Sequence, residues 1–233
     1  MLPKNRKRIF GALLLAALTL NCGRKPTYLD QAPMTPQESL RSIQLSEDFT
    51  VDLFATEPHV VDPVDMAWDE NGRLFVAEML DYPDDPPEGK PVRSRIRVLE
   101  DKNNDGIIDS SYVYADKLLQ VSGLMPWKGG LIVGAAPDIV YLKDADGDGK
   151  AEIREVLYTG FPKVNPEGRI TNFRLGIDNW IYAANNGADA RLAKPGQKGE
   201  PLLLRGADLR FNPITGAAER ASGPAQYGLT MDD

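Results

Sequence analysis

Cysteine and histidine are almost absent from this chain: one of each in 233 residues. A single Cys excludes an internal disulfide, so stability must come from a packed core, with or without bound metal. A single His excludes a poly-histidine metal centre. After the first 22 residues clustered Lys and Arg are also lacking. No C-x-x-C-H haem motif occurs. After the first 22 residues no long apolar run remains, and no helical pattern of twelve or more residues is found. What is abundant is turn chemistry: 21 Gly and 18 Pro, spread along the chain.

The leader is the exception. Lys4, Arg6, Lys7 and Arg8 precede the apolar run Ile9 to Leu20, which is too short to span a bilayer as a mature helix. Cys22 follows at once. Residues 1–22 are expected to be a signal peptide of lipoprotein type, with Cys22 the lipidated residue; Thr19-Leu-Asn21 is a poor match to the usual small-residue box, and an ordinary secretory signal is the alternative. Either address is extracytoplasmic, lipid-anchored or periplasmic. The leader holds 4 of the 27 Lys+Arg and no acid, so the remaining chain carries 23 − 34 = −11. That charge argues against a nucleic-acid partner.

Residues 23–43 read as a tether and a short helix. Thr35-Pro-Gln-Glu38 has N-cap, first-turn Pro and capping-box Glu in order. From Phe49 the period changes to two, and Phe49–Phe54 alternates as a strand does. Residues 44–233 are expected to be an all-β, incomplete β-propeller. The reason is a repeat at roughly 50 residues: an apolar pair, a polar turn, then an aliphatic-aromatic strand. The copies are Met66–Ala77, Leu124–Gly134 and Phe173–Ala183, and Gly228 opens a fourth. Three blades of a six-bladed ring are expected, with further domains in a longer chain. The strands at 73–77, 131–134 and 180–184 are expected at equivalent inner positions. Met66, Trp68, Trp127, Leu131, Phe173, Leu175, Ile181 and Tyr182 are expected between blades.

Two loops have metal-ligand spacing. Asp144-Ala-Asp146-Gly-Asp148-Gly149, followed by Glu152 and Glu155, satisfies a full calcium-loop pattern. Oxygens at alternate positions converge on a hard cation, and the Gly permits a sharp turn. Asp101, Asn103, Asp105 and Asp109 form the half-matching loop, with Tyr112 at the last position. Both join strands, so Glu152 and Asp109 are the expected ninth-position ligands rather than Glu155. Calcium and a plain acidic turn both fit these residues.

The runs Phe49–Pro58, Asp62–Met79 with Tyr82-Pro83, and Arg95–Asp101 resemble the membrane-bound dehydrogenase domain of large secreted bacterial proteins. Leu175–Tyr182 and Ser222–Asp233 continue the likeness across nearly all of the chain after the leader. Such proteins are similar to the soluble quinoprotein glucose and sorbosone dehydrogenases, six-bladed propellers, and helical-repeat and cytochrome c domains often follow. The resemblance implies sugar or alcohol oxidation with pyrroloquinoline quinone (PQQ), and electrons passed to haem. Those enzymes carry a base His before the strand resembling 173–183. Here that stretch is Glu167-Gly-Arg-Ile-Thr-Asn172, and the one His is His59. Candidate lining residues at one mouth of the channel are Glu78, Arg93, Arg95, Arg169, Asn172, Asn185, Asn186 and Gln226. The other reading is a non-catalytic, calcium-stiffened propeller that binds glycans or partner proteins.

Overall fold

The computed structural model describes residues 32–163 and 165–230. The leader, Cys22 and most of the tether lie outside the described residues. Among those described, no helix is long and apolar enough to cross a membrane. The chain divides into two units, 1–53 and 54–233. In the first, α1 (Pro36–Ser42) starts as its sequence requires. The Glu38 amide donates to Thr35 Oγ1 at 3.3 Å, and the Thr35 amide donates to Glu38 Oε2 at 2.8 Å. Phe49–Phe54 alternates but joins no sheet. Alternation without a ladder partner does not make a strand.

The second unit is three four-stranded antiparallel sheets. The first holds β1 (Pro63–Trp68), β2 (Leu74–Glu78), β3 (Arg95–Glu100) and β4 (Ser110–Ala115), in that order. The second holds β5 (Gly123–Trp127), β6 (Gly130–Ala135), β7 (Asp138–Lys143) and β8 (Ile153–Thr159). The third runs β9 (Thr171–Leu175), β10 (Ile181–Ala184), β13 (Asp208–Phe211) and β14 (Ala218–Ala221). A ribbon of β11 (Arg191–Leu192) and β12 (Leu202–Leu203) interrupts it. Consecutive sheets touch through their first strands, β1 with β5 and β5 with β9. These are propeller blades: each meanders from an inner strand outward. The repeat strands β2, β6 and β10 are equivalent, but each is second in its blade, with β1, β5 and β9 further in.

Two cores lie between the blades. Phe75, Ile96, Val98 and Tyr114 of the first blade meet Leu124, Leu131, Val133 and Leu142 of the second. Phe75 and Tyr114 pack edge-on at 5.0 Å. Ile132, Ile139 and Tyr158 meet Phe173, Ile181, Leu209 and Phe211. Every residue of β6 is buried, because blades cover both of its faces. A Cβ on Gly134 would stand 2.7 Å from the Ile170 carbonyl oxygen, so only glycine lets the third blade approach this closely.

Leu131, Phe173 and Ile181 are buried as expected; Trp127 and Tyr182 are half-buried. Met66, Trp68 and Leu175 are exposed instead. Register explains the first two. Met66 pairs with Val76 and Trp68 with Leu74, which puts them on the face of the first sheet away from the second blade. Ala55 and Val60 of the 55–60 segment and Ile108 of the 101–109 loop pack on that face, and they leave Met66 and Trp68 uncovered. Leu175 ends β9 beside the Gly176–Trp180 turn.

Phe211→Ala should therefore cost about 3–5 kcal/mol, since it empties a site shared with Tyr158 and Phe173. Trp68→Ala, at a residue 55% exposed, should cost under about 1 kcal/mol. Chemical denaturation of the two variants checks the ranking.

Candidate functional site: the cleft at the inner-strand ends

The inner strands start at one mouth of the blade array, and two of them are irregular there. In β1, Val64 is an extra residue between the pairs Pro63↔Glu78 and Asp65↔Ala77. In β9, Asn172 and Phe173 together oppose Ala183. Asn172 takes φ 56°, a conformation that Asn tolerates better than most residues. Bulges of this kind re-aim side chains. Asp65 and Asn172 both line a cleft of about 340 Å³ at this mouth. Tyr82, Ser122, Glu167, Arg169, Thr171 and Tyr227 line it with them.

Asp65 accepts hydrogen bonds from the Leu124 amide at 2.9 Å and from the Met66 amide at 2.9 Å. Burial raises its carboxyl above the ordinary range; the two amides and the charge of Arg174 oppose that shift without cancelling it. Tyr82 donates to Glu167 Oε1 at 2.8 Å across the cleft. That bond, and then the Glu167 charge, hold the phenol above its usual pKa. Arg169 is buried and pairs with Asp85 at 3.1 Å.

Of the eight residues expected to line a site, Arg169 and Asn172 line this cleft. Glu78 and Arg95 do not, because they are turned on each other. Glu78 is fully buried, pairs with Arg95 and with Arg97 at 3.4 Å, and accepts from the Val61 amide at 2.7 Å. Arg93 is largely exposed and clamps Asp81. Asn185 is buried, and its side chain donates to the Ala188 and Ala207 carbonyls. Asn186 uses its amide on the Ala225 carbonyl at 2.9 Å. Gln226 is exposed and adjoins Tyr227. The residues that sequence reasoning missed are Asp65, Tyr82, Glu167 and Tyr227. For Asp65 a signal existed: a charge set directly before the apolar Met66-Ala-Trp68 repeat. His59 lies in the 57–59 turn and is not among the residues that line the cleft.

Both acidic loops join the third and fourth strands of their blades, β3 to β4 and β7 to β8, and they are bonded alike. Asp144 accepts from the Gly147 and Gly149 amides, and Glu152 from the Ala145 amide. Asp101 accepts from the Asp105 and Gly106 amides, and Asp109 from the Lys102 amide. Asp144, Asp146 and Glu152 bring one oxygen each within 4.8 Å of one another, the one such group among the described residues. Asp148 is outside that group and accepts from the Lys150 amide. Glu155 sits on β8 opposite Tyr141, away from the loop.

A family model matches residues 35–233. The chain belongs to the family described as Domain of unknown function (DUF7133). No curated protein matches this DUF7133 chain. Solved structures of similar shape include the holo PQQ domain of pyranose dehydrogenase from Coprinopsis cinerea. It is 16% identical, with 66% of this chain and 34% of that one covered and a TM-score of 0.45. A calcium structure of the Trichoderma reesei carbohydrate-active enzyme of family AA12 is 15% identical over 71% of this chain and 41% of that one, TM-score 0.42. A Thermus thermophilus protein described as a putative oxidoreductase (glucose dehydrogenase) is 19% identical over 66% and 45%, TM-score 0.41. The chain thus spans between about a third and a half of the length of these structures.

Asp81 positions Tyr82. It is buried and accepts from the Ser94 amide and hydroxyl and from the Arg93 amide and side chain. Burial alone would raise its pKa, but these bonds outweigh burial and lower it. A lowered folded-state pKa gives stability that is present above the ordinary carboxylate range and lost as pH falls through the lowered value. Asp81→Asn should cost about 1–3 kcal/mol at pH 7. The gap to wild type should close below about pH 4. Denaturation curves of both proteins at the two pH values check this.

Proposed function

We propose that this propeller binds a sugar or related alcohol in the cleft and serves as the substrate-binding part of a sugar- or alcohol-oxidising protein. The observation that carries the reading is Asp65. It is a carboxylate with a raised pKa, aimed by a bulge into a cleft at the small end of ligand-pocket size, among hydroxyl-recognising Tyr, Asn and Thr side chains. Asp65 replaces the expected His: it accepts the proton of the ligand hydroxyl, while Asn172 and Thr171 orient the neighbouring hydroxyls.

PQQ itself does not fit these residues. It is a tricarboxylate, and the cleft offers it one cation, Arg169, already paired with Asp85, beside the like charges of Asp65 and Glu167. Oxidation of a bound alcohol would need an acceptor of the quinone or haem class in contact with the ligand's carbon-bound hydrogen, and none of the cleft's residues supplies that chemistry. The same charge mismatch favours the second reading, a glycan-binding propeller without turnover. In either case the leader addresses the chain to the extracytoplasmic side, lipid-anchored through Cys22 or periplasmic.

The Asp144, Asp146, Glu152 loop is proposed to hold calcium, with Asp148 and the Lys150 carbonyl beside it. The 101–109 loop, with Asn103 in place of an Asp, is the weaker second site.

Dye-linked oxidation of sugars and alcohols by the full-length protein, with an added quinone-class acceptor, tests the enzymatic reading. Activity should fall on the acid side with an apparent pKa above about 4, the ordinary Asp range. Burial raises that value, and the Leu124 and Met66 amides and the charge of Arg174 oppose it. Asp65→Asn should lower kcat by about a hundredfold or more. Sugar binding without any turnover would leave the glycan-binding reading in place.

For the loop, a chelator should lower the melting temperature of the wild type and leave Asp146→Ala unmoved. Calcium a hundredfold above its dissociation constant should contribute about 2.7 kcal/mol. A wild type indifferent to chelator makes the loop a plain acidic turn.

A further inference from the structure

Two exposed tyrosines flank the cleft, and each is placed by a buried aspartate that takes no part in the proton transfer. Tyr82 directly follows Asp81, whose carboxylate is locked onto residues 93 and 94. Tyr227 lies in the strap 222–228, which carries no ladder bonds of its own. Asp208 is 2% exposed and fixes that strap. It accepts from the Ala225 amide at 3.1 and 3.0 Å through its two oxygens, and from the Asn185 amide at 3.0 Å. The Asn186 amide returns a bond to the Ala225 carbonyl at 2.9 Å. Gly223 takes φ 125°, and a Cβ there would fall 2.1 Å from Asp208 Oδ2. The strap can therefore pass Asp208 this closely only as glycine.

An aspartate buried to this degree is expensive unless its lone pairs are filled. Here backbone amides fill them, and so pin the segments that bear the tyrosines. Both rings stand at the same cleft, near enough that the Tyr227 phenol perturbs that of Tyr82. Tyr82 is 54% and Tyr227 61% exposed, so neither ring is held by a core. Exposed aromatic faces beside hydroxyl-binding groups match the C–H face of a sugar ring.

We propose that Tyr82 and Tyr227 form a ring-binding subsite, with Asp81 and Asp208 as its positioning residues, so that the cleft prefers a cyclic sugar to an open-chain polyol. This rests on the sugar-binding reading of the cleft. The polar contacts to Asp65, Asn172 and Thr171 serve either ligand, whereas only a ring offers a flat apolar face to the tyrosines.

The test is calorimetric titration of the full-length protein with methyl glucopyranoside and with sorbitol. The pyranoside should bind tighter, by roughly three- to tenfold for each stacked ring. Tyr82→Ala and Tyr227→Ala should each reduce that ratio, while Tyr82→Phe and Tyr227→Phe should keep it. Asp208→Asn should behave as Tyr227→Ala does, because it frees the strap. Since both tyrosines are exposed, the Phe and Ala variants should melt with the wild type. Equal binding of the two probes by the wild type overturns the ring subsite alone. A ratio that survives both Ala substitutions also overturns it. Binding of neither probe overturns the sugar-binding reading together with the subsite.

Discussion

The inner strands of neighbouring blades stand side by side but are not hydrogen-bonded as one sheet. Their inward edges carry amides and carbonyls that need partners. Polar side chains at the strand starts supply them. Asp65 of β1 takes the Leu124 amide of β5. Ser122, just before β5, donates to the Ile170 carbonyl at 2.7 Å, and Thr171 of β9 donates to the Ser122 carbonyl at 2.5 Å. Blade is thus tied to blade by three short side chains, all at one mouth. Those three residues also line the cleft. The site is where the fold has to be polar, and ligand chemistry can be added there at little structural cost.

Away from that rim the blades meet mainly through apolar surface, with polar ties further out: the Asp144 amide donates to the Tyr114 hydroxyl, the Ala151 amide to the Tyr114 carbonyl, and the Tyr158 hydroxyl to the Ala217 carbonyl. The second blade takes most of the burial, since it is covered on both faces and β6 has no exposed residue. This division of labour makes the rim tolerant of polar change and the interior intolerant of it.

The blade repeat was legible because each copy pairs turn residues with an aliphatic run, and period and composition need no tertiary knowledge. The capping box of α1 was legible for the same local reason. Burial was less so. Met66 and Trp68 look like core residues, but which face of β1 meets a neighbour is decided by register and by what covers that sheet. The cleft was the least legible. Val64 and Asn172 are bulge residues, and a bulge leaves no sure mark in sequence, yet it is what turns Asp65 inward. Long-range pairings such as Glu78 with Arg95, or the Asn185 side chain with the Ala207 carbonyl, consumed candidates that had looked free. Charged residues near a strand end are as often tied down as presented.

The three outer hairpins allow one more step. In the first and second blades a carboxylate, Asp101 or Asp144, gathers the amides of the turn. In the third, Asn212 does the same for the Ile214 and Thr215 amides with no charge at all. Capping this turn therefore requires an oxygen and not an anion. The second-blade loop nevertheless holds four carboxylates within nine residues, three of them converging. Turn geometry does not account for that concentration, and mutual repulsion opposes it. A cation relieves the repulsion through those oxygens, while Asn103 in the first blade lessens the need for one. Negative charge beyond what the backbone uses, more than the loop motif itself, is what sets the 144–152 hairpin apart from its two counterparts.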